Sequence, residues 1–140
     1  MSNGLVKNGR SMMPAPVIPV ISYPDVHDAA DWLCAAFGFS KRLIIFDHRI
    51  QLTLNGGNLV VTDRPSPGPQ GFNIMLRITD CRAICKQARE KGAVVELEPT
   101  DFEYGERQCD LRDPWGVRWC VSETIGDVDP AEWGGVLVSS

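Results

Sequence analysis

Apolar residues recur along this chain with two periods, and the order of those periods is its first informative feature. Val17-Ile18-Pro19-Val20-Ile21-Ser22-Tyr23 is rich in β-branched residues and predicts a strand, with Pro19 suited to a strand start or an edge. Asp25 is placed to cap a helix over Val26–Phe37, where Ala29, Trp32, Leu33, Ala36 and Phe37 recur at helical spacing and Gly38 supplies the stop. Three strands follow, over Arg42–Phe46, Ile50–Leu54 and Asn58–Thr62, broken at Asp47-His48 and at Asn55-Gly56-Gly57, a hairpin signal. Arg64–Gly71 is a stiff, polar Pro/Gly linker.

The second half repeats that order. Phe72–Ile78 predicts a strand, Thr79-Asp80 caps a helix over Cys81–Lys91, and Gly92 stops it. Strands follow over Ala93–Leu97, Glu106–Leu111 and Val117–Glu123, with Pro99–Gly105 as a loop. Sliding one half onto the other sets Asp25 on Asp80, Gly38 on Gly92 and Tyr23 on Ile78. The chain therefore reads as an internal duplication of a β-α-β-β-β unit, an α+β fold.

Alternation divides each strand into two faces. Ile21 and Tyr23, Ile50, Leu52 and Leu54, Ile74, Leu76 and Ile78, and Val117, Trp119 and Val121 are strongly apolar and need helices over them. The other face carries Ile18, Val20 and Ser22; Gln51 and Thr53; Asn73, Met75 and Arg77; Gln108 and Asp110; Arg118 and Cys120. Glu103 and Tyr104 join from the loop, where functional groups concentrate. A lining of neutral amides and two guanidinium groups suits a small organic molecule, and Arg77 with Arg118 favours an anionic one. The predicted ligand-binding set is Gln51, Thr53, Asn73, Met75, Arg77, Glu103, Gln108, Arg118 and Cys120. No catalytic residue is assigned: Cys120 needs a lowered pKa to act as a nucleophile, and His27 and His48 have no partner at motif spacing.

Composition narrows the function classes. With 140 residues, 44% hydrophobic and 23% charged, the chain is long enough for one domain with a core. A net charge of −4 and scattered basic residues argue against nucleic acid. No apolar run approaches the ~20 residues of a membrane span, and Lys7 and Arg10 lead into no apolar signal region. A cytoplasmic protein with five reduced cysteines is expected. Cys81 and Cys85 share a helix face, but no second pair is spaced to complete a zinc site. Residues 1–15 are expected to form a flexible lead-in, with Met12 or Met13 as an alternative start.

The duplicated unit, with Ser22-Tyr-Pro-Asp-Val, Ala36-Phe-Gly-Phe, Tyr104-Gly-Glu-Arg-Gln and Arg112-Asp-Pro-Trp-Gly, resembles the vicinal oxygen chelate superfamily of glyoxalases, bleomycin-resistance proteins and dioxygenases. The resemblance covers about Val17 to Glu123. It implies a single domain over 16–140: module one 16–63, linker 64–71, module two 72–123 and a tail 124–140 that packs on a sheet or a partner. It implies a cupped, mixed eight-stranded sheet with helices outside, a small molecule held in the cup, and a homodimer. Metal-dependent members place His, Gln or Glu on the first and last strand of each module. Those positions fall here on Ile18, Asn73, Cys120 and Val60 or Val61, which implies no usual metal site and no cofactor. The leading reading is a metal-free small-molecule binding protein. One alternative is a metal-dependent lyase, isomerase or dioxygenase using His48, Asp63 and Glu103; another is a non-catalytic structural or regulatory dimer.

Overall fold

The computed structural model describes residues 9–15, 17–65 and 73–137. Residues 1–8 of the expected lead-in, the linker from 66 to 71 and Phe72 lie outside the described residues. The chain divides into two compact units, up to Pro69 and from Gln70. Among the described residues, each contains one α-helix and one four-stranded mixed sheet, so the eight strands form two sheets, one in each module.

Module one runs β1 (Val20–Ser22), α1 (Val26–Phe37), β2 (Ser40–Ile45), β3 (Arg49–Leu54) and β4 (Gly57–Thr62). The sheet order is β1-β4-β3-β2, with β1 parallel to β4 and the other pairs antiparallel. The capping predicted from the sequence is present: the Asp25 side chain accepts from Asp28 N–H at 2.9 Å, and Gly38 closes the helix at φ 88°. α1 packs on β2, β3 and β4. Val26, Ala29, Ala30, Leu33, Ala36 and Phe37 are buried on it, with Ile21, Ile50, Leu52, Leu59 and Val61 buried on the sheet. At about 1.5–3 kcal/mol per fully buried aliphatic side chain, this layer is the main stabilising term of the module. Asn55 at φ 47° and Gly56 at φ 83° make the two-residue β3–β4 turn, the mirror-type turn that suits strand twist.

Module two runs β5 (Ile74–Arg77), α2 (Cys81–Glu90), β6 (Val94–Asp101), β7 (Glu106–Arg112) and β8 (Arg118–Thr124). Its order is β5-β8-β7-β6, again with only β5–β8 parallel. Asp80 caps α2 through Ala83 N–H at 3.0 Å. Trp119, Val121, Leu111, Leu76 and four cysteines (Cys81, Cys85, Cys109 and Cys120) are buried in this module. The segment around Pro99, read from the sequence as a loop, is instead the end of β6. Its register with β7 shifts between Leu97 and Thr100, and β6 is the sheet edge, so the missing N–H of Pro99 costs no ladder bond.

The β7–β8 connection is longer than its β3–β4 counterpart and is built around one carboxylate. Asp113 is 3% exposed. Its Oδ1 accepts from Trp115 N–H and Val117 N–H at 3.0 Å each, and its Oδ2 accepts from the Trp119 indole at 3.1 Å. Gly116 takes φ 88° and donates its N–H to Asp113 O at 2.9 Å, as the Pro-Trp-Gly turn predicts.

Candidate functional site

The open face of module two, away from α2, gathers most of the expected ligand-binding residues. Strand register sets Gln108 beside Ser122, Asp110 beside Cys120, Met75 beside Cys120 and Arg77 beside Ser122. Four side chains there form a directed row of hydrogen bonds. Tyr104 Oη donates to Gln108 Oε1 at 2.7 Å, Gln108 Nε2 donates to Ser122 Oγ at 3.0 Å, and Ser122 Oγ donates to Glu106 Oε1 at 2.7 Å. The carboxylate at one end accepts only, which sets the direction of every donor before it. Burial, followed by the neighbouring acidic groups Cys120, Glu106 and Asp110, raises the pKa of the Tyr104 phenol, so it remains a donor.

Aromatic rings wall this row. Phe102 stacks on Tyr104 with centroids 5.4 Å apart, and Trp133 meets Tyr104 at 61° and 5.7 Å. Trp133 belongs to a 3-10 helix, Pro130–Trp133, in the tail. Gly105 makes the approach of the tail possible. It sits at φ 89°, a Cβ there would lie 2.3 Å from Gly126 O, and its carbonyl accepts from Ile125 N–H at 2.9 Å.

Cys120 is buried. Burial, then the charge and hydrogen bonding of Asp110, push its thiol up to about 12. At neutral pH it is a neutral thiol rather than a thiolate nucleophile. Burial also pushes up the Cys81 and Cys109 thiols, and Cys81 Sγ donates to Val121 O at 3.5 Å.

The remaining expected residues of this module are more scattered. Arg77 is exposed and donates to Thr124 Oγ1 at 3.0 Å. Arg118 starts β8 opposite Arg112, and both reach Glu96, at 4.0 and 3.0 Å. Register therefore separates the two guanidinium groups along the sheet, Arg77 at the level of Ser122 and Arg118 at that of Arg112. Met75 is exposed on β5, Asn73 is exposed just before it, and Glu103 is exposed in the β6–β7 turn.

Module one treats its expected residues differently. Thr53 is half-buried beside Asn58. Gln51 is 1% exposed, and its amide is occupied within the module: Nε2 donates to Ser11 O at 2.9 Å and Oε1 accepts from Arg42 Nη1. His48 and Asp63, two of the alternative metal ligands, line a cleft of about 410 Å³ with Arg49, Thr62 and Arg64. Glu103 belongs to module two. Among the described residues, no three His, Cys, Asp or Glu side chains are grouped so as to hold a metal ion. Among the described residues, no helix is long and apolar enough to cross a membrane.

Sequence reasoning missed Ser122, Glu106 and Arg42. The first two carried a signal: they continue the alternation of Arg118 and Cys120, and of Gln108 and Asp110, by one step. Arg42 carried none. A register shift between Lys41 and Leu43 interrupts β2 at that residue, beside Gln51.

Residues 17–121 match the sequence model of the Glyoxalase/Bleomycin resistance protein/Dioxygenase superfamily. No curated protein matches the chain. Among solved structures, TioX from Micromonospora sp. ML1 is similar at 24% identity and TM-score 0.66, over 82% of this chain and 98% of that one. A glyoxalase/bleomycin resistance protein/dioxygenase family enzyme from Burkholderia phytofirmans PsJN is similar at 15% identity and TM-score 0.66, over 76% and 96%. A glyoxalase/bleomycin resistance protein/dioxygenase from Nocardioides is similar at 13% identity and TM-score 0.61, over 90% and 91%.

Proposed function

The chain belongs to the Glyoxalase/Bleomycin resistance protein/Dioxygenase superfamily, and from that premise we propose that it binds a small organic molecule on the open face of module two without a metal ion. The observation that carries this reading is the row Tyr104–Gln108–Ser122–Glu106, polar groups on a sheet face walled by Phe102 and Trp133. Such a face offers stacking area and fixed hydrogen-bonding edges, the usual composition of a small-molecule site. Arg77, exposed at the level of Ser122, favours a ligand with an anionic or strongly accepting edge.

Donor chemistry supports the metal-free part. Where metal-dependent relatives carry His, Gln or Glu, this chain has Ile18, which has no donor atom, and Asn73, a weak neutral one. It also has Cys120, a thiol that must lose a firmly held proton before it can ligate. Five free cysteines support a reducing, cytoplasmic setting. Exposed Val136 and Leu137 of the tail support a homodimer, which sedimentation equilibrium tests.

The test has two arms. Elemental analysis of protein purified without chelator, followed by calorimetric titration of Ni2+, Zn2+, Mn2+ and Fe2+, should show no stoichiometric metal; a tightly held ion overturns the metal-free reading. A thermal-shift screen of small amides, phenols and carboxylates should yield ligands whose affinity falls about tenfold in Gln108→Leu, the loss expected for buried hydrogen bonds left unmade. Ligands indifferent to that substitution overturn the assignment of the face.

A further inference from the structure

We propose that Gln51 and Arg42 of module one form a recognition site for successive main-chain carbonyl groups, and that residues 10–12 of this same chain occupy it. The site does not depend on the reading of module two.

Gln51 stands at the centre of β3 between Ile50 and Leu52, opposite Val60, and all four are buried. A buried primary amide needs partners for both its oxygen and its nitrogen, or it destabilises the fold. Among the described residues, Nε2 finds its partners in the N-terminal segment and not in the sheet: it donates to Ser11 O at 2.9 Å and meets Met12 Sδ at 4.0 Å. Arg42, beside Gln51 at the β2 register shift, gives Nη1 to Gln51 Oε1 and Nη2 to Arg10 O at 3.2 Å and Met12 O at 3.3 Å. Three consecutive carbonyls are thus received by one amide and one guanidinium, donor groups whose planar geometry suits paired acceptors.

The captured segment is not a strand. Within it Met12 N–H donates to Gly9 O at 3.4 Å, and side-chain donors hold it rather than a sheet ladder. The side chains of Arg10, Ser11 and Met12 are exposed, while Met13 directly after them is 2% exposed and anchors the segment. Recognition therefore reads backbone carbonyls together with the Met12 thioether and the buried Met13 side chain, which is the chemistry of short peptide capture. The ligand class is a peptide or peptide-like amide with successive carbonyls, and residues 10–12 are its occupant in cis. A chain beginning at Met13 keeps the anchor and leaves Gln51 and Arg42 without those carbonyls.

The test compares the full chain with a chain starting at Met13, using the acetylated, amidated tetrapeptide Gly-Arg-Ser-Met as probe, labelled for fluorescence anisotropy. The shortened chain should bind the probe, the full chain at least about tenfold more weakly, and the shortened Arg42→Ala variant about tenfold more weakly than its parent. A folded shortened chain that ignores the peptide, or equal binding to both chains, overturns the proposal. Should the shortened chain fail to fold, tryptic cleavage after Arg10 in the full chain decides. Arg42→Ala, a change at an exposed residue, should release the segment and speed that cleavage about tenfold. An unchanged rate overturns the site.

Discussion

The two modules share a plan and differ in what they do with the sheet face that the helix leaves open. In both, an aspartate caps the helix, the first strand runs parallel to the last, and aliphatic side chains fill the layer beneath the helix. In module one much of that face is covered: Val60 and Gln51 are buried, although Val20 beside Val60 is exposed, and carbonyls of the N-terminal segment, which leads into the buried Met13, take the donors. In module two the corresponding face carries a row of linked polar side chains with Arg77 and Met75 exposed beside it. The turns diverge in the same direction. Module one joins its last two strands with Asn55-Gly56, whereas module two uses a loop organised by a buried carboxylate. The helix-facing layer is common to both because any sheet of this size needs it, so the chemistry specific to this chain lies in what differs.

Substitutions can sharpen that contrast. The largest effect is expected at the turns. Asp113→Ala strands three donors, one of them the indole of the buried Trp119, and should lower stability by about 4 kcal/mol. Asn55→Ala in the matching turn changes only the ease of a positive φ and should cost about 1 kcal/mol. Urea unfolding of both variants measures the difference, and equal losses would erase the distinction between the turns.

Next in size is Gly105→Ala, which adds a methyl group 2.3 Å from Gly126 O at a backbone angle that disfavours it. A loss of about 3 kcal/mol is expected, together with increased solvent exposure of Trp133 by fluorescence. Asp25→Ala and Asp80→Ala should each cost about 1 kcal/mol, alike in the two modules, since each removes one helix cap. A strongly unequal pair would break the symmetry of plan. The smallest effect concerns alkaline pH. The Cys120 thiol keeps its proton to about 12 in the native chain against an ordinary value of 9.0, so its contribution is whole below pH 9 and disappears as pH rises to 12. Cys120→Val should therefore make the fall in Tm between pH 9 and 11 shallower, while Cys34→Val, at a half-buried site in module one, changes it less.

Much of this was legible in the residues. The helix over Val26–Phe37 is bounded by a cap and a stop that act locally, and the faces of β3, β7 and β8 follow from strict alternation. Gln108 and Cys120 were readable on one face for the same reason. Pairing was not readable. That Gln108 would meet Ser122 depends on the β7–β8 register, and that Gln51 would meet Ser11 depends on a contact across forty residues of sequence. Pro99 misled in the opposite direction, because its local rule breaks a strand only where the N–H is needed, and an edge does not need it.

The direction of the hydrogen-bonded row has a consequence for selectivity. Tyr104 has a single hydroxyl proton and directs it at Gln108, so toward a visitor its oxygen is an acceptor alone. A molecule touching that oxygen must arrive with an N–H or O–H. An ether or ketone of identical outline would set two lone pairs against each other there. The row thus sorts shape-matched compounds by which of them carries the hydrogen, a filter set by the polarity of three bonds rather than by the width of a cavity.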